Sequence, residues 1–302
     1  MNEMDRPVPP TGNESKTRLK RHFFLVVAAI AFAMVLFGQG FGGYVLGLVQ
    51  GVLLLNKVPI SGALSFLFMY LAFFGIVVLV LLYCGLFEKP TFRSFGCSKN
   101  GGQKGNTWKM FFLGLLLGFG MNAFLILLAW LHGDLDLSVG RFEFLYLLCA
   151  LLCVCVQSGA EELVTRGYMM GALRERYPIW VAIAVNSVFF GALHLMNPGI
   201  TVLSMLMIIL YGLFCSLIVY YLDSLWLCIA IHTSWNFTQN FLFGLPNSGI
   251  VSQGSFLHLE AATSSPFYDA VFGVEGSLTG VILYVLLCAG LIFYGEKKKA
   301  AL

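Results

Sequence analysis

The sequence predicts an all-α membrane protein, a polytopic bundle of about eight transmembrane helices with both termini in the cytoplasm. The 302 residues are 59% apolar and only 11% charged, and their mean hydropathy is +0.84. A soluble domain carries about a quarter charged residues, so this chain has too few charges to cover a water-facing surface. We therefore expect a lipid bilayer as its surroundings, in the cell membrane. A net charge of +3 is too small to indicate a nucleic-acid partner.

Apolar stretches long enough to span a bilayer, about 20 residues each, recur along the chain. One of them, 177–222, is too long for a single helix, and Asn197-Pro198-Gly199 is a helix breaker that divides it. Another loses its apolar character from Gly244 onward. The eight predicted spans cover residues 23–48, 59–87, 108–131, 142–173, 179–195, 200–222, 225–244 and 279–295.

The basic residues give the orientation of this bundle. Of the 18 Lys and Arg residues, all but three fall on one side of an eight-helix bundle. Lys57 and Arg141 lie on the opposite side, and Arg166 lies within a span. The positive-inside rule therefore places both termini in the cytoplasm. The cytoplasmic set is Arg6, Lys16, Arg18, Lys20, Arg21, Lys89, Arg93, Lys99, Lys104, Lys109, Arg174, Arg176, Lys297, Lys298 and Lys299.

Ionisable side chains are rare within the predicted spans. Each costs about 2.5–3.5 kcal/mol to insert at the centre of a helix, so each needs a structural or functional reason. A structural reason would be an ion pair or a hydrogen bond between helices. Their concentration in spans four, five and seven favours a functional site. The residues are Glu161, Glu162, Arg166, His194 and His232, and the polar Asn236 accompanies the last of them.

The spacing of these residues indicates how they can act. Glu162 and Arg166 are four residues apart and can form an ion pair within one helix. Glu161 projects about 100° away from that pair, where it can act as a general base. His232 and Asn236 share one helix face, which suits oxyanion stabilisation, and the imidazole alone also suits metal binding.

Several familiar protease motifs are absent from the sequence. It contains no His-Glu-x-x-His metal helix, no Gly-x-Ser-x-Gly turn and no pair of aspartates within the spans. The eight cysteines lie mostly inside spans, and none forms a Cys-x-x-Cys pair. That pattern favours apolar packing over disulfides or a cysteine-held metal.

Three motifs on separate spans resemble those of the CPBP family of intramembrane proteases. This family comprises type II CAAX prenyl endopeptidases and bacteriocin-processing or immunity proteins. The resemblance covers about 100 residues, 147–246, and departs from the family at Thr165, where phenylalanine is frequent. The motifs are Glu-Glu-x-x-x-Arg at Glu161, Glu162 and Arg166, Phe-x-x-x-His at Phe190 and His194, and His-x-x-x-Asn at His232 and Asn236.

The resemblance implies an endopeptidase that hydrolyses a membrane-associated protein or peptide, including a prenylated CAAX-type chain. Glu161 would activate water and His194 would hold it, while His232 and Asn236 would stabilise the oxyanion. The pair Glu162–Arg166 would order the helix. We accordingly divide the chain into a cytoplasmic tail (1–22), accessory helices (23–141), a catalytic core (142–246), and an outer loop with the last helix (247–302).

Two questions stay open from the sequence. Glu161, His194 and His232 would also make an acceptable ligand set for one zinc ion with a position open for water, so the chemistry is either metal-dependent or metal-free. The chain could instead be a non-catalytic immunity or scaffold relative, or a proton-coupled transporter, because intramembrane acids also mark ion pathways. A transporter would more often show two related halves, and no internal repeat is evident.

The predicted spans place the three motifs at unequal depths. Counted from the cytoplasmic ends of the spans at 1.5 Å per residue, Glu161 lies about 20 Å deep, His194 about 24 Å and His232 about 10 Å. A common site therefore requires tilted helices or helix ends at different heights.

Overall fold

The computed structural model describes residues 22–88 and 105–300. The predicted cytoplasmic tail, apart from His22, lies outside the described residues. So do nine of the cytoplasmic basic residues: Arg6, Lys16, Arg18, Lys20, Arg21, Lys89, Arg93, Lys99 and Lys104.

The described chain is helical almost throughout, which confirms the predicted all-α class. Its helices are α1 Phe24–Leu55, α2 Gly62–Leu71, α3 Phe74–Tyr83, α4 Trp108–His132, α5 Phe144–Glu162, α6 Met170–Arg174, α7 Ile179–Ala192, α8 Val202–Leu222, α9 Leu225–Phe237 and α10 Leu278–Ala300. Wider π-helical turns occupy Cys84–Glu88, Leu163–Met169 and Thr238–Leu242, and a short 3₁₀ turn occupies Val274–Gly276.

The helices match a protein that crosses the membrane several times. Each of the eight predicted spans has a helical counterpart, and six helical segments of the described chain are long and apolar enough to span a bilayer. Helix α7 is apolar but shorter, and α9 with its π-helical turn is the remaining counterpart. The six are Phe24–Leu55, Gly62–Glu88, Trp108–His132, Phe144–Arg174, Val202–Leu222 and Leu278–Ala300.

The fourth predicted span is not a uniform α-helix. Helix α5 ends at Glu162, and the π-helical turn Leu163–Met169 joins it to α6. Such turns often mark functional sites, because the widened backbone re-aims nearby side chains. A second π-helical turn, Thr238–Leu242, follows α9. Both turns therefore come directly after helices that carry motif residues.

A two-stranded antiparallel sheet lies outside the helices. Strand β1, Leu135–Val139, pairs with β2, Leu257–Ala262, and a bulge interrupts the ladder between Asp136 and Leu137. Both strands fall in the predicted outer loops, where the sequence analysis gave no strand. Each is short and half exposed, so its alternating pattern spans only a few residues.

Two small residues let α9 lie close against α4. A Cβ atom on Gly118 would collide with the backbone oxygen of Ile231, and one on Gly114 would come within 2.6 Å of the Ala230 side chain. Small residues allow this close approach of helix backbones within a membrane. The contact fixes the position of α9, which carries His232 and Asn236.

Candidate active site

A cavity of about 220 Å³ lies among α1, α2, α5, α7, α8, α9 and the loop after α9. Glu161, His194, His232 and Asn236 all line it. The structure therefore brings the three motif-bearing helices to one place, despite the unequal depths that the sequence predicts. Glu162 and Arg166 do not line the cavity and lie behind it, fully buried.

One carboxylate oxygen of Glu161 accepts a hydrogen bond, and the other has no partner among the described residues. Gln157 Nε2 donates to Glu161 Oε1 at 2.8 Å. Glu161 Oε2 is buried and has no hydrogen-bond partner among the described residues. It lies 3.8 Å from Nε2 of His232, which is beyond direct hydrogen-bond distance. A buried polar oxygen without a partner, on a residue that lines a cavity, is a position where a water molecule or another polar atom would bind.

Each histidine has one ring nitrogen fixed by a neighbouring acceptor. Nδ1 of His232 lies 3.0 Å from Oε1 of Glu162, and Nδ1 of His194 lies 2.9 Å from the backbone oxygen of Phe190. If both Nδ1 atoms carry the proton, both Nε2 atoms are free as acceptors or ligands. The Phe190 ring lies against both imidazoles, with centroids 4.9 Å from that of His194 and 6.1 Å from that of His232.

Glu162 and Arg166 form the buried ion pair that their spacing predicts. Arg166 Nη1 lies 3.2 Å from Glu162 Oε2, and both side chains are 0% exposed. Arg166 also donates from Nη2 to the backbone oxygen of Gly212 at 2.9 Å, and its guanidinium lies 4.4 Å from the centroid of the Phe190 ring. The pair thereby ties α5 to α7 and α8, and through Glu162 it orients His232.

A family model matches the part of the chain that holds these residues. Residues 141–238 match the type II CAAX prenyl endopeptidase Rce1-like family. The match supports an intramembrane endopeptidase in general and agrees with the resemblance noted in the sequence. Comparisons with curated proteins and with solved structures give no match.

A series of hydrogen-bonded amide side chains extends from the segment that matches the family model into the outer loop. Asn236 Nδ2 donates to Gln157 Oε1 at 3.2 Å. Asn247 Nδ2 donates to Asn236 Oδ1 at 3.2 Å and to Glu275 Oε1 at 3.1 Å. This series of hydrogen bonds therefore starts at the carboxylate of Glu161 and ends at that of Glu275, and every amide in it has one consistent orientation.

Glu275 is a buried carboxyl group that the sequence analysis did not single out. It accepts hydrogen bonds from Trp235 Nε1 at 2.9 Å and from the backbone nitrogen and hydroxyl of Ser248. Burial raises the pKa of Glu275, while the bonds from Ser248 and Trp235 and the nearby His194 oppose that rise. Its signal in the sequence was weak, since Glu275 lies in a loop and outside the segment that matches the Rce1-like family.

The predicted zinc ligands have suitable donor chemistry. Metal-binding histidines usually donate their second ring nitrogen to a carboxylate or a carbonyl, and His232 and His194 have such partners in Glu162 and Phe190. In the described chain, however, the three ligand atoms that lie within 4.8 Å of one another belong to Glu162, Cys215 and Cys228. The set Glu161, His194 and His232 is spaced more widely, so zinc binding would require these side chains to draw together.

Proposed function

We propose that the protein is an intramembrane endopeptidase in which Glu161 activates a water molecule for attack on a peptide bond. The observation that carries this proposal is the unpaired Oε2 of Glu161, 3.8 Å from His232 Nε2, on two residues that both line the cavity. A water oxygen about 2.8 Å from each of these atoms would bridge them. The peptide belongs to a membrane-associated protein or peptide, and the family description suggests a prenylated CAAX-type chain.

The hydrolysis assigns one step to each group. Glu161 takes a proton from water as the water oxygen bonds to the carbonyl carbon. His194 lines the same cavity and helps to hold that water. When the carbon–nitrogen bond breaks, the protonated Glu161 returns its proton to the leaving amine. The products are a carboxylic acid and an amine, which balances the reaction.

His232 and Asn236 stabilise the negative charge that forms on the carbonyl oxygen. One N–H of the Asn236 amide is used by Gln157, and the second remains for the oxyanion. Because Nδ1 of His232 donates to Glu162, Nε2 would donate to the same oxygen only in the doubly protonated imidazolium form. Removing one such donor from a protease lowers kcat by about 10²–10³-fold.

Zinc is a compatible addition to this site. Glu161, His194 and His232 would hold it, and it would supply Lewis-acid activation of the water. The roles of Gln157, Asn236 and the Glu162–Arg166 pair are the same with or without the ion, because none of these residues is a ligand in that set.

The variant Glu161→Gln tests the proposal. Purified protein in lipid vesicles is assayed with a library of quenched fluorogenic peptides and with a farnesylated CAAX peptide. We expect cleavage by the native protein, and a loss of at least about 10²-fold in the variant, because a general base contributes about 10²–10⁴-fold. Metal analysis of the purified protein, with and without a chelator, decides between the two forms of the chemistry.

The control for this experiment is Glu143→Gln, which removes an exposed carboxylate near the start of the same helix. It should cleave at the native rate. Equal cleavage by native protein and Glu161→Gln would contradict the protease. A cellular phenotype of the protein that persists in Glu161→Gln would indicate a scaffold. Loss of proton-linked flux in Glu161→Gln, with no peptidase activity in the native protein, would indicate a transporter.

A further inference from the structure

Two buried side chains from the segment between α9 and α10 line the cavity beside the motif residues. Asn247 is 5% exposed and Glu275 is 6% exposed. Both lie outside residues 141–238, the segment that matches the family model. The proposed hydrolysis gives neither of them a role, yet their hydrogen bonds lead to Asn236, the proposed oxyanion donor.

Glu275 is an anchor for its neighbours, because protein donors occupy both of its carboxylate oxygens. Oε1 accepts from Trp235 Nε1 at 2.9 Å and from Asn247 Nδ2 at 3.1 Å. Oε2 accepts from the backbone nitrogen of Ser248 and from its hydroxyl, the latter at 2.8 Å. A carboxylate offers about four acceptor positions, so none is left here for a substrate atom.

The carboxylate of Glu275 sets the orientation of two asparagine amides. A carboxylate oxygen accepts only, so the Asn247 atom that faces it is the amide nitrogen. The same nitrogen lies 3.2 Å from Oδ1 of Asn236. The nitrogen of Asn236 therefore points the other way, toward Oε1 of Gln157 at 3.2 Å, and keeps its second N–H for the oxyanion.

Two contacts are needed to fix the direction of that second N–H. Gln157 alone holds the nitrogen of Asn236 at one point, and the amide can still turn about this single hydrogen bond. The bond from Asn247 to Oδ1 holds the other end of the amide. Because a donor stabilises an oxyanion best when its direction is fixed in advance, the loop contributes to the proposed oxyanion site.

The turn that carries Asn247 is itself held in place. The backbone N–H groups of Asn247 and Ile250 each donate to the other residue's oxygen at 2.9 Å. Asn197, in the turn after α7, donates from Nδ2 to the oxygen of Ser248 at 3.0 Å. Asn240, in the π-helical turn after α9, donates from Nδ2 to the oxygen of Ile250 at 2.7 Å. The position of Asn247 is therefore fixed relative to both motif-bearing helices.

We propose that Asn247, anchored by Glu275, is a positioning residue of the peptidase. It holds the Asn236 amide so that one N–H stays directed at the oxyanion. This inference rests on the proposed function and adds to its site a loop that lies outside the family match. The contribution of Asn247 to the rate passes through Asn236, so it should vanish when the Asn236 amide is absent.

A double-mutant cycle on the full chain in lipid vesicles tests this dependence with the fluorogenic peptides. Asn236→Ala alone should lower kcat by about 10²–10³-fold. Asn247→Ala alone should lower kcat by about 10-fold and change KM by less than about twofold, because it disturbs an interaction made in the transition state. Added to Asn236→Ala, it should lower kcat by less than about twofold more, since the two residues act as one unit.

Asn240→Ala is the matched control for a loop that is merely loosened. Both N–H groups of the Asn240 amide donate to backbone oxygens of the same loop, those of Leu245 and Ile250. Whatever this variant costs should be the same factor with and without Asn236→Ala. Asn247→Ser is made alongside Asn247→Ala as a second variant that keeps a polar side chain in the turn. Its hydroxyl lies one bond closer to the backbone and falls short of Asn236, so the same loss is expected.

The outcomes separate this inference from the proposed function. If Asn247→Ala lowers kcat by one factor in both backgrounds, as the control does, Asn247 is structural and the inference is overturned. Full activity in Asn247→Ala overturns it as well, while the loss in Glu161→Gln keeps the peptidase. If the native protein cleaves no peptide, the proposed function fails, and the positioning role fails with it.

Discussion

Gln157 donates a hydrogen bond from Nε2 to Oε1 of Glu161 at 2.8 Å, one helical turn further along α5. Its own oxygen accepts from Asn236 Nδ2 at 3.2 Å. One buried amide therefore orients both the proposed base and the proposed oxyanion donor. No motif contains Gln157, yet its position is as constrained as the positions of Glu161 and Asn236.

We expect Gln157→Leu to lower kcat by about 10- to 100-fold, since an unsatisfied buried polar group costs about 1–3 kcal/mol. The substitution leaves Glu161 Oε1 without its donor and Asn236 Nδ2 without its acceptor. The measurement is peptide cleavage by purified protein in vesicles. Ser158→Ala is the control, because Ser158 donates to the same Gln157 oxygen at 3.1 Å without touching Glu161. An equal loss in both variants would point to general disruption of α5.

The sequence predicted the helices well because their signal is local. Helix α4 covers Trp108–His132 against the predicted 108–131, and α8 covers Val202–Leu222 against 200–222. Hydropathy marks where an apolar stretch begins and ends. It carries no information on backbone pitch, so the π-helical turn Leu163–Met169 was missed. The short paired strands were missed because each depends on a partner more than a hundred residues away.

The contacts of the candidate site also differ in whether the sequence could predict them. The motif spacing predicted the Glu162–Arg166 pair, which a single helix defines. It could not predict the bonds from Asn247 to Asn236 and Glu275, because they join a loop to a helix across the folded structure. The convergence of His194 with Glu161 also depends on how the helices pack, and span lengths alone argued against it.

The stability of the protein should depend on pH through Glu275. Because burial raises the pKa of this carboxyl in the folded state, its protonated form favours folding. That contribution is complete below the unfolded-state pKa and is lost as the pH rises through the higher folded-state value. As the pH falls from 7.5 to 5, we therefore expect the Tm of the native protein to rise relative to that of Glu275→Gln. Thermal unfolding in vesicles or detergent measures this difference.

Glu260→Gln is the control for this experiment. Glu260 is an exposed acid on β2 that accepts a hydrogen bond from Ser138. The Tm difference between this variant and the native protein should stay constant over the same pH range. A constant difference for Glu275→Gln as well would show that the ionisation of Glu275 does not contribute to stability.

The buried ion pair should contribute far more to stability than an exposed one. Arg166→Ala leaves the carboxylate of Glu162 buried without its cationic partner, with only the hydrogen bond from His232, and such a loss costs about 3–5 kcal/mol. The matched exposed pair is Arg141–Glu143, with atoms 3.7 Å apart and side chains 88% and 55% exposed. Arg141→Ala should cost at most about 1 kcal/mol. Unfolding in denaturant measures both, and similar costs would contradict the assigned role of Arg166.

A larger side chain on the face of α4 that contacts α9 should displace α9. In Gly118→Ala the new methyl group meets the backbone oxygen of Ile231 and lies 3.0 Å from Cβ of Ser234. Backbone cannot move aside as a flexible side chain can, so α9 must shift, and His232 and Asn236 shift with it. A displacement of about 1 Å costs up to about 10²-fold in rate. We expect a loss of that order in peptide cleavage.

Gly120→Ala provides the matched comparison on the same helix, since its added Cβ meets nothing within 4 Å. Alanine is also the better helix former, so this variant should fold and cleave like the native protein. The two substitutions differ only in which side of α4 carries the methyl group. If Gly118→Ala folds normally and keeps full activity, then the closeness of α4 and α9 does not position the proposed oxyanion donors. The close packing would then serve only to hold the bundle together.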